Sequence, residues 1–368
     1  MTLATAVILS HNRQDMLRRQ LLYYANKPVH LILADGSNDD WETGRSGSIG
    51  EMTWEYFRIS GFYSYLPRMA EALRRVKTDY MFFLDDEECI LMTGVEKAAN
   101  FLGLNPEHSC AGGRVATSSY SWKRLSLLHH YAPKNKFALV DTDPYKRFES
   151  LFNSKRSKSL VYTLRRTRDA RAFAEVFEKF DFEGKLHVLF ESLHDGFTAL
   201  SGMYEGGSYP FLIRAGGSVP PDAKELYSIG MEEAQRACHE LENAIFLSGK
   251  RLNAPPEVGK TSVEFLASVL PKLTVNRSII TIPKVGTKAR LAHYLFDYFP
   301  QIYWALNKNG LMTFSHYADK YASGSSEVKR DLADIENVWK RFPGGLSKLK
   351  LEYELSKIKE SSAGFLNN

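Results

Sequence analysis

The chain has 368 residues, 44% of them hydrophobic and 25% charged. That balance is ordinary for a water-soluble globular protein and excludes a collagen, a coiled-coil rod and a mainly disordered chain. A net charge of +5 is mild for this length, whereas a nucleic-acid binder concentrates its basic residues in a stripe. Cys89, Cys110 and Cys238 are widely separated, which excludes a disulfide scaffold and a paired-cysteine zinc site and fits a reducing cytoplasm. No stretch approaches the roughly 18 apolar residues of a membrane span. The segment from Met1 to Ala4 has no basic lead and the first apolar run stops at Ser10, so no signal peptide is expected.

Strand and helix signals alternate from the N-terminus. Residues 4–9 (ATAVIL) form a short apolar run rich in β-branched residues, which reads as a buried strand. Residues 12–24 read as a helix with Leu17, Leu21 and Tyr24 on one face, and residues 29–34 (VHLILA) as a second strand. A turn cluster follows from Asp35 to Asp40. Residues 54–59 make a weaker strand, 65–76 a helix, and 80–84 (YMFFL) the strand with the most buried character. This order argues for a mostly parallel sheet covered by helices. Further on, 96–104 reads as a helix, 110–117 contains a strand, 120–160 is loop-rich and basic, and 160–164 (LVYTL) is strand-like. Helices are expected at 168–180 and 187–200, and a short strand at 209–214. Beyond Gly216-Gly217 the pattern turns helical, with segments at 232–246, 262–270, 288–307 and 326–341. The expected division is 1–217 as an α/β domain, 218–342 as a helical C-terminal domain and 343–368 as a basic amphipathic tail.

Ligands of an open parallel sheet bind outside the carboxyl ends of its strands. Three polar clusters stand at such ends: Ser10-His11-Asn12-Arg13, Asp35-Gly36-Ser37, and Asp85-Asp86-Glu87-Glu88. Consecutive acids repel one another unless solvated or neutralised, most simply by a divalent cation. Oxygen ligands suit Mg²⁺ or Mn²⁺, and Mg²⁺ commonly takes one or two carboxylates and fills its shell with phosphate and water. A metal–diphosphate site is the inference; a solvated acidic turn is the bland alternative.

Taken together, these segments resemble a glycosyltransferase of the GT-A type. Val7 to Arg13 resembles that fold's opening strand and loop, Leu33 to Asp39 its second strand with an Asp-Gly-Ser turn, and Phe83 to Glu87 its Asp-x-Asp motif, with Glu in the third place. The resemblance is closest to the inverting, family 2-like bacterial enzymes and covers about residues 4–215. It implies an α/β fold with a Rossmann-like mixed sheet and helices on both faces, followed here by a mainly helical C-terminal region. It also implies that Asp35 hydrogen-bonds the nucleotide base and that Ser10, Asn12 and Arg13 line the base and ribose. Asp85 and Glu87 would serve the metal, Mg²⁺ or Mn²⁺, with Asp86 beside the ribose–diphosphate. Arg68 resembles the basic residue that precedes the helix before the Asp-x-Asp. Asp143-Pro144 with Arg147, Val161 to Arg166, Phe190-Glu191 and Ile213-Arg214 resemble a bacterial subgroup that transfers sugar to surface polysaccharide or glycoconjugate.

Inverting transfer needs a general base for the acceptor hydroxyl. Glu191 is the candidate, on an otherwise apolar stretch where burial would raise its pKa; Asp195, one helical turn on, is the alternative. Asp141-Thr142-Asp143 is also Asp-x-Asp, but it precedes Pro144, so Asp143 reads as a helix cap. Residues 256–261 end like a phosphate-binding loop but have Ala254 where the loop needs Gly, and Pro255-Pro256 removes two N–H donors. The aromatic cluster from Tyr294 to Trp304 reads as core, as a surface for stacking on an acceptor sugar, or as a shallow insertion at a membrane interface. The basic segment 348–359 reads as a solvated helix or as contact with anionic lipid at the inner face of the membrane. The expected partners are a nucleotide-diphosphate sugar and a saccharide or glycoconjugate acceptor, without nucleic acid. A GT-A-like domain that binds nucleotide sugar without turnover, with the helical part as an interaction module, is the competing reading.

Overall fold

The structure, a computed structural model, describes residues 2–39, 41–61, 65–121, 124–129, 137–153, 160–177, 187–215, 314–321, 325–343, 345 and 347–365. The helices expected at 232–246, 262–270 and 288–307, the segment 256–261 and the aromatic cluster at 294–304 lie outside the described residues.

Strand β1 (Ala4–Ser10) is buried along its whole length because β2 (Val29–Asp35) and β5 (Tyr80–Asp85) flank it in parallel. A strand covered on both faces needs a continuous apolar run, and this one has it. Beyond β2 come β4 (Met52–Arg58), also parallel, and the exposed antiparallel edge strand β3 (Ser46–Ile49). On the other side β10 (Leu164–Arg166) runs antiparallel between β5 and β7 (His108–Ser121). Then follow β11 (Met203–Ala215), parallel to β7, and the two-residue β6 (Cys89–Ile90). β8 (Arg124–His129) pairs with β7, and β9 (Ala138–Leu139) with β11. The described residues thus form one 11-stranded mixed sheet.

Helices cover both faces. α1 (Gln14–Tyr24) and α3 (Met92–Leu104) lie on one face, and α2 (Tyr65–Arg75), α5 (Thr167–Phe177), α6 (His187–Ser201) and α4 (Pro144–Asn153) associate on the other. This is the mixed sheet with helices on both faces that the sequence leads one to expect. Three C-terminal helices, α7 (Phe314–Tyr321), α8 (Ser326–Arg341) and α9 (Lys348–Phe365), join the first face, where α8 touches α1 and α3 and α9 touches α1. Among the described residues no helix is long and apolar enough to cross a membrane.

The C-terminal helices explain why α1 is buried on more than its expected Leu17–Leu21–Tyr24 face. Arg19 and Gln20 are buried too, and the Arg19 guanidinium lies over the Trp339 ring of α8, 5.2 Å from its centroid. Lys27 pairs with Asp331 at 3.1 Å and Asp334 at 2.9 Å. In α9, Leu351 is buried while Leu349 and Tyr353 are exposed.

Several boundaries differ from the sequence expectation. Helix α1 begins at Gln14, because Asn12 adopts a left-handed φ of 54°. Helix α3 begins at Met92 rather than residue 96, and Asp331 of α8 accepts the Thr93 N–H at 3.0 Å. The loop-rich stretch 120–160 contains β8, β9 and α4. The strand expected at 160–164 is displaced: residues 160–163 form a turn and the strand is Leu164–Arg166.

Candidate active site

Register brings the three polar clusters together. Ser10 stands opposite Asp35 on β2, and Leu9 opposite Asp85 on β5. All three strands point the same way, so their carboxyl ends open on one edge of the sheet.

The β1–α1 loop and the β2 turn are laced to each other. The Asn12 N–H donates to Ser37 Oγ at 2.8 Å, and His11 Nδ1 lies 2.9 Å from the Gly36 carbonyl. A cleft of about 380 Å³ lies beside them, lined by Asn12, Arg13, Gln14, Asp15, Ser37 and Asp39 among others. That size is within the range of small-molecule pockets.

Asp35 is placed differently from the expectation of a base-reading carboxylate. It is fully buried. Its Oδ1 accepts the Ser37 N–H at 3.0 Å and the Ser37 hydroxyl at 2.6 Å, and its Oδ2 accepts the Tyr56 hydroxyl at 3.0 Å and Gln14 Nε2 at 3.2 Å. Both oxygens are occupied by protein donors, so this carboxylate orders the turn from behind. Arg68 lies against this same turn. It is buried, donates to the Gly61 carbonyl at 2.8 Å, and lies so close to Gly36 that a Cβ there would stand 1.6 Å from its Nη1. Gly36 is therefore the residue that admits the guanidinium.

The acidic loop is held by cations on both sides and by α1 from below. Arg13 pairs with Asp86 at 3.1 Å and Glu87 at 2.5 Å, and Arg214 of β11 pairs with Glu88 at 2.5 Å. The Ser10 hydroxyl donates to Asp86 Oδ2 at 2.7 Å. The buried Gln20 amide donates to the Asp86 and Glu88 carbonyls at 2.8 and 2.7 Å. Burial pushes the Asp86 carboxyl up to about 7, against the pull of Arg13 and Ser10. Burial and then the Asp85 charge push Glu88 well above the usual carboxylate range, and burial raises Glu87 despite Arg13. Burial alone would lower Arg13, but Asp86 and Glu87 outweigh it and hold the guanidinium above its ordinary value.

Asp85 stands apart from the other acids. It makes no direct ion pair among the described residues, and its Oδ2 accepts the Tyr162 hydroxyl at 2.8 Å. Among the described residues no three metal-capable side chains converge. A cation caged by protein alone does not fit this arrangement. One held by a single carboxylate and completed by a diphosphate and water does fit, because that is how Mg²⁺ is commonly bound. Asp85 could supply that carboxylate, whereas Glu87, the other expected ligand, is engaged by Arg13.

Glu191 lies in α6 as expected, with its side chain outside the described residues. Asp195, the alternative base, is buried and its Oδ1 accepts the Leu160 N–H at 2.8 Å. The structure gives Asp195 to the turn at 160–163. Asp143 caps α4 as its sequence suggests, accepting the Tyr145 N–H at 2.9 Å. Tyr162, Gln20 and Tyr56 carry contacts that no local pattern announces; only the Asp-Gly-Ser turn hinted at the role of Ser37.

No family model matches the chain, and no curated protein matches it. Among solved structures it is similar to S. aureus TarS residues 1–349, at 12% identity and a TM-score of 0.46, covering 93% of this chain and 91% of that one. It is also similar to the same TarS fragment in complex with UDP-GlcNAc, at 11% identity and a TM-score of 0.46, covering 94% and 93%.

Proposed function

We propose that this chain is a glycosyltransferase that moves a sugar from a nucleotide-diphosphate donor to a hydroxyl acceptor, with inversion, in surface polysaccharide or glycoconjugate synthesis. The observation that carries the reading is the shared edge: Ser10, Asp35 and Asp85 at adjacent strand ends, beside a cleft lined by Asn12, Arg13 and Ser37. The base and ribose would lie in that cleft. Asp35 supports it indirectly, by fixing Ser37, while Arg13 and Asp86 form its boundary with the acidic loop.

Asp85 would hold Mg²⁺ or Mn²⁺, with Glu87, two residues on, as the second ligand once Arg13 released it. A cation bound there would neutralise the departing diphosphate. Glu191 takes the proton of the acceptor hydroxyl as its oxygen attacks the anomeric carbon. The bond from that carbon to the diphosphate breaks, and its electron pair leaves with the nucleotide. Attack opposite the leaving group inverts the configuration. The exposed Leu349 and Tyr353 of α9, with Lys350 and Lys357 beside them, suit peripheral contact with the inner face of a membrane, next to a lipid-borne acceptor.

The test is a thermal-shift panel of UDP, GDP, ADP and CDP and their sugars, with Mn²⁺ or with EDTA. One nucleotide should stabilise the protein more with Mn²⁺, by linkage. The folded Asp85→Ala, Glu87→Ala double variant should lose that difference. A panel without any stabilising nucleotide, or a double variant with unchanged Mn²⁺ dependence, counts against the reading.

A further inference from the structure

We propose that Tyr162 fixes the orientation of Asp85, and that Arg165 and Asp195 are positioning residues whose task is to hold Tyr162 in place. The inference rests on the preceding reading of Asp85 and names residues that the reading does not use.

The turn at 160–163 is built from unusual materials. Arg165 is buried, and its Nη2 donates to the Leu160 carbonyl at 2.6 Å and the Val161 carbonyl at 3.3 Å. Its Nη1 meets His194 Nε2 and donates to Thr198 Oγ1 at 3.3 Å, both on α6. Asp195, on the same helix, accepts the Leu160 N–H, and the Thr163 hydroxyl closes the turn on the Leu160 carbonyl at 2.6 Å. A buried guanidinium is costly unless its donors are satisfied. Here much of that capacity is spent on the backbone of one turn.

What the turn presents is Tyr162. The side chain is buried, its hydroxyl lies on Asp85 Oδ2, and the Arg214 guanidinium covers its ring at 4.6 Å from the centroid. Arg214 is in turn held by Glu88. Tyr162 therefore joins the acidic loop to the far strand β11 and gives the Asp85 carboxylate one orientation. Outer donors of this kind orient a metal-binding carboxylate, and their loss typically costs roughly 10–100-fold in metal affinity or activity.

Calorimetric titration of the nucleoside diphosphate that gives the largest shift in the panel, with Mn²⁺ and with EDTA, tests the inference without turnover. Tyr162→Phe keeps the ring under Arg214 and removes only the hydroxyl. It should lose roughly 10–100-fold of the Mn²⁺-supported affinity while its affinity in EDTA stays at the wild-type value. Asp195→Asn, which keeps an acceptor for the Leu160 N–H, should retain more of the Mn²⁺ effect than Asp195→Leu. If Asp195→Leu does not fold, Tyr162→Phe decides the matter. A cation-dependent wild type with an equally cation-dependent Tyr162→Phe overturns the inference alone. A wild type indifferent to Mn²⁺ overturns the cation reading beneath it.

Discussion

Two strand ends of the same sheet carry carboxylates in opposite circumstances. At the end of β2, Asp35 is enclosed by four donor contacts from Ser37, Tyr56 and Gln14. At the end of β5, four acids crowd together, three of them paired with Arg13 or Arg214 and the first, Asp85, touching only a phenol among these partners. A carboxylate with every oxygen bonded to its own protein is part of the wall. One held in place by a neutral hydroxyl, beside acids that already have cationic partners, can still attract a cation. On α6, Asp195 is committed to the backbone of Leu160, and Glu191 is the acid proposed above as the base.

The sharpest way to break that division is on α6. Glu191→Gln keeps the size of the side chain and removes its basicity. Turnover should fall by roughly 10²–10⁴-fold with nucleotide binding little changed, and raising the donor concentration should not restore it. Single-turnover rates of Glu191→Gln and Asp195→Asn measured side by side set the order. If Asp195→Asn were the slower of the two, the base would pass to Asp195.

The next contrast is between the strand ends themselves. Asp35→Ala strips the acceptor from Ser37, Tyr56 and Gln14, and each buried donor left unpaired costs roughly 1–3 kcal/mol, less whatever a water recovers. Asp85→Ala removes one of four crowded like charges and a single hydrogen bond, so its stability should stay within about 1 kcal/mol of wild type. Chemical denaturation of both variants would show it. A wild-type midpoint for Asp35→Ala would mean that the wall does not depend on this residue.

The sheet edge was legible because each apolar strand runs directly into a polar cluster, and parallel pairing then aligns the ends. What was hidden depends on distant partners. Helix α3 starts a turn early, with its Thr93 N–H capped by Asp331 from α8, which no local window contains. Residues 160–163 read as strand from their apolar pattern, but Arg165 and Asp195 draw that backbone into a turn. Asp35 looked like a ligand because the sequence shows a carboxylate at a strand end without showing Tyr56 and Gln14 converging on it.

The smallest effect separates the α6 side of the site from the acidic loop by pH. His194 is buried, facing Arg165 of β10 and the ring edges of Phe83 of β5 and Phe173 of α5, with Asp195 of its own helix 3.6 Å away. Burial, and then the Arg165 charge, hold its pKa well below the ordinary value of 6.5. The folded imidazole therefore stays neutral where the unfolded one takes up a proton. Stability from this group is present above about pH 6.5 and is lost as pH falls below it, by at most about 1.4 kcal/mol per pH unit. Asp86 acts in the opposite sense. Its carboxyl is raised from 3.8 to about 7, so between those values the folded state keeps a proton that the unfolded state has lost, and stability falls as pH rises. The two slopes oppose each other in the wild type, and only a variant separates them. His194→Gln keeps an acceptor for Arg165 and cannot titrate. Urea unfolding from pH 7.5 down to 5.5, in steps of about half a unit, should show the variant losing less stability than wild type on acidification. Parallel curves for the two proteins would take His194 out of the pH dependence.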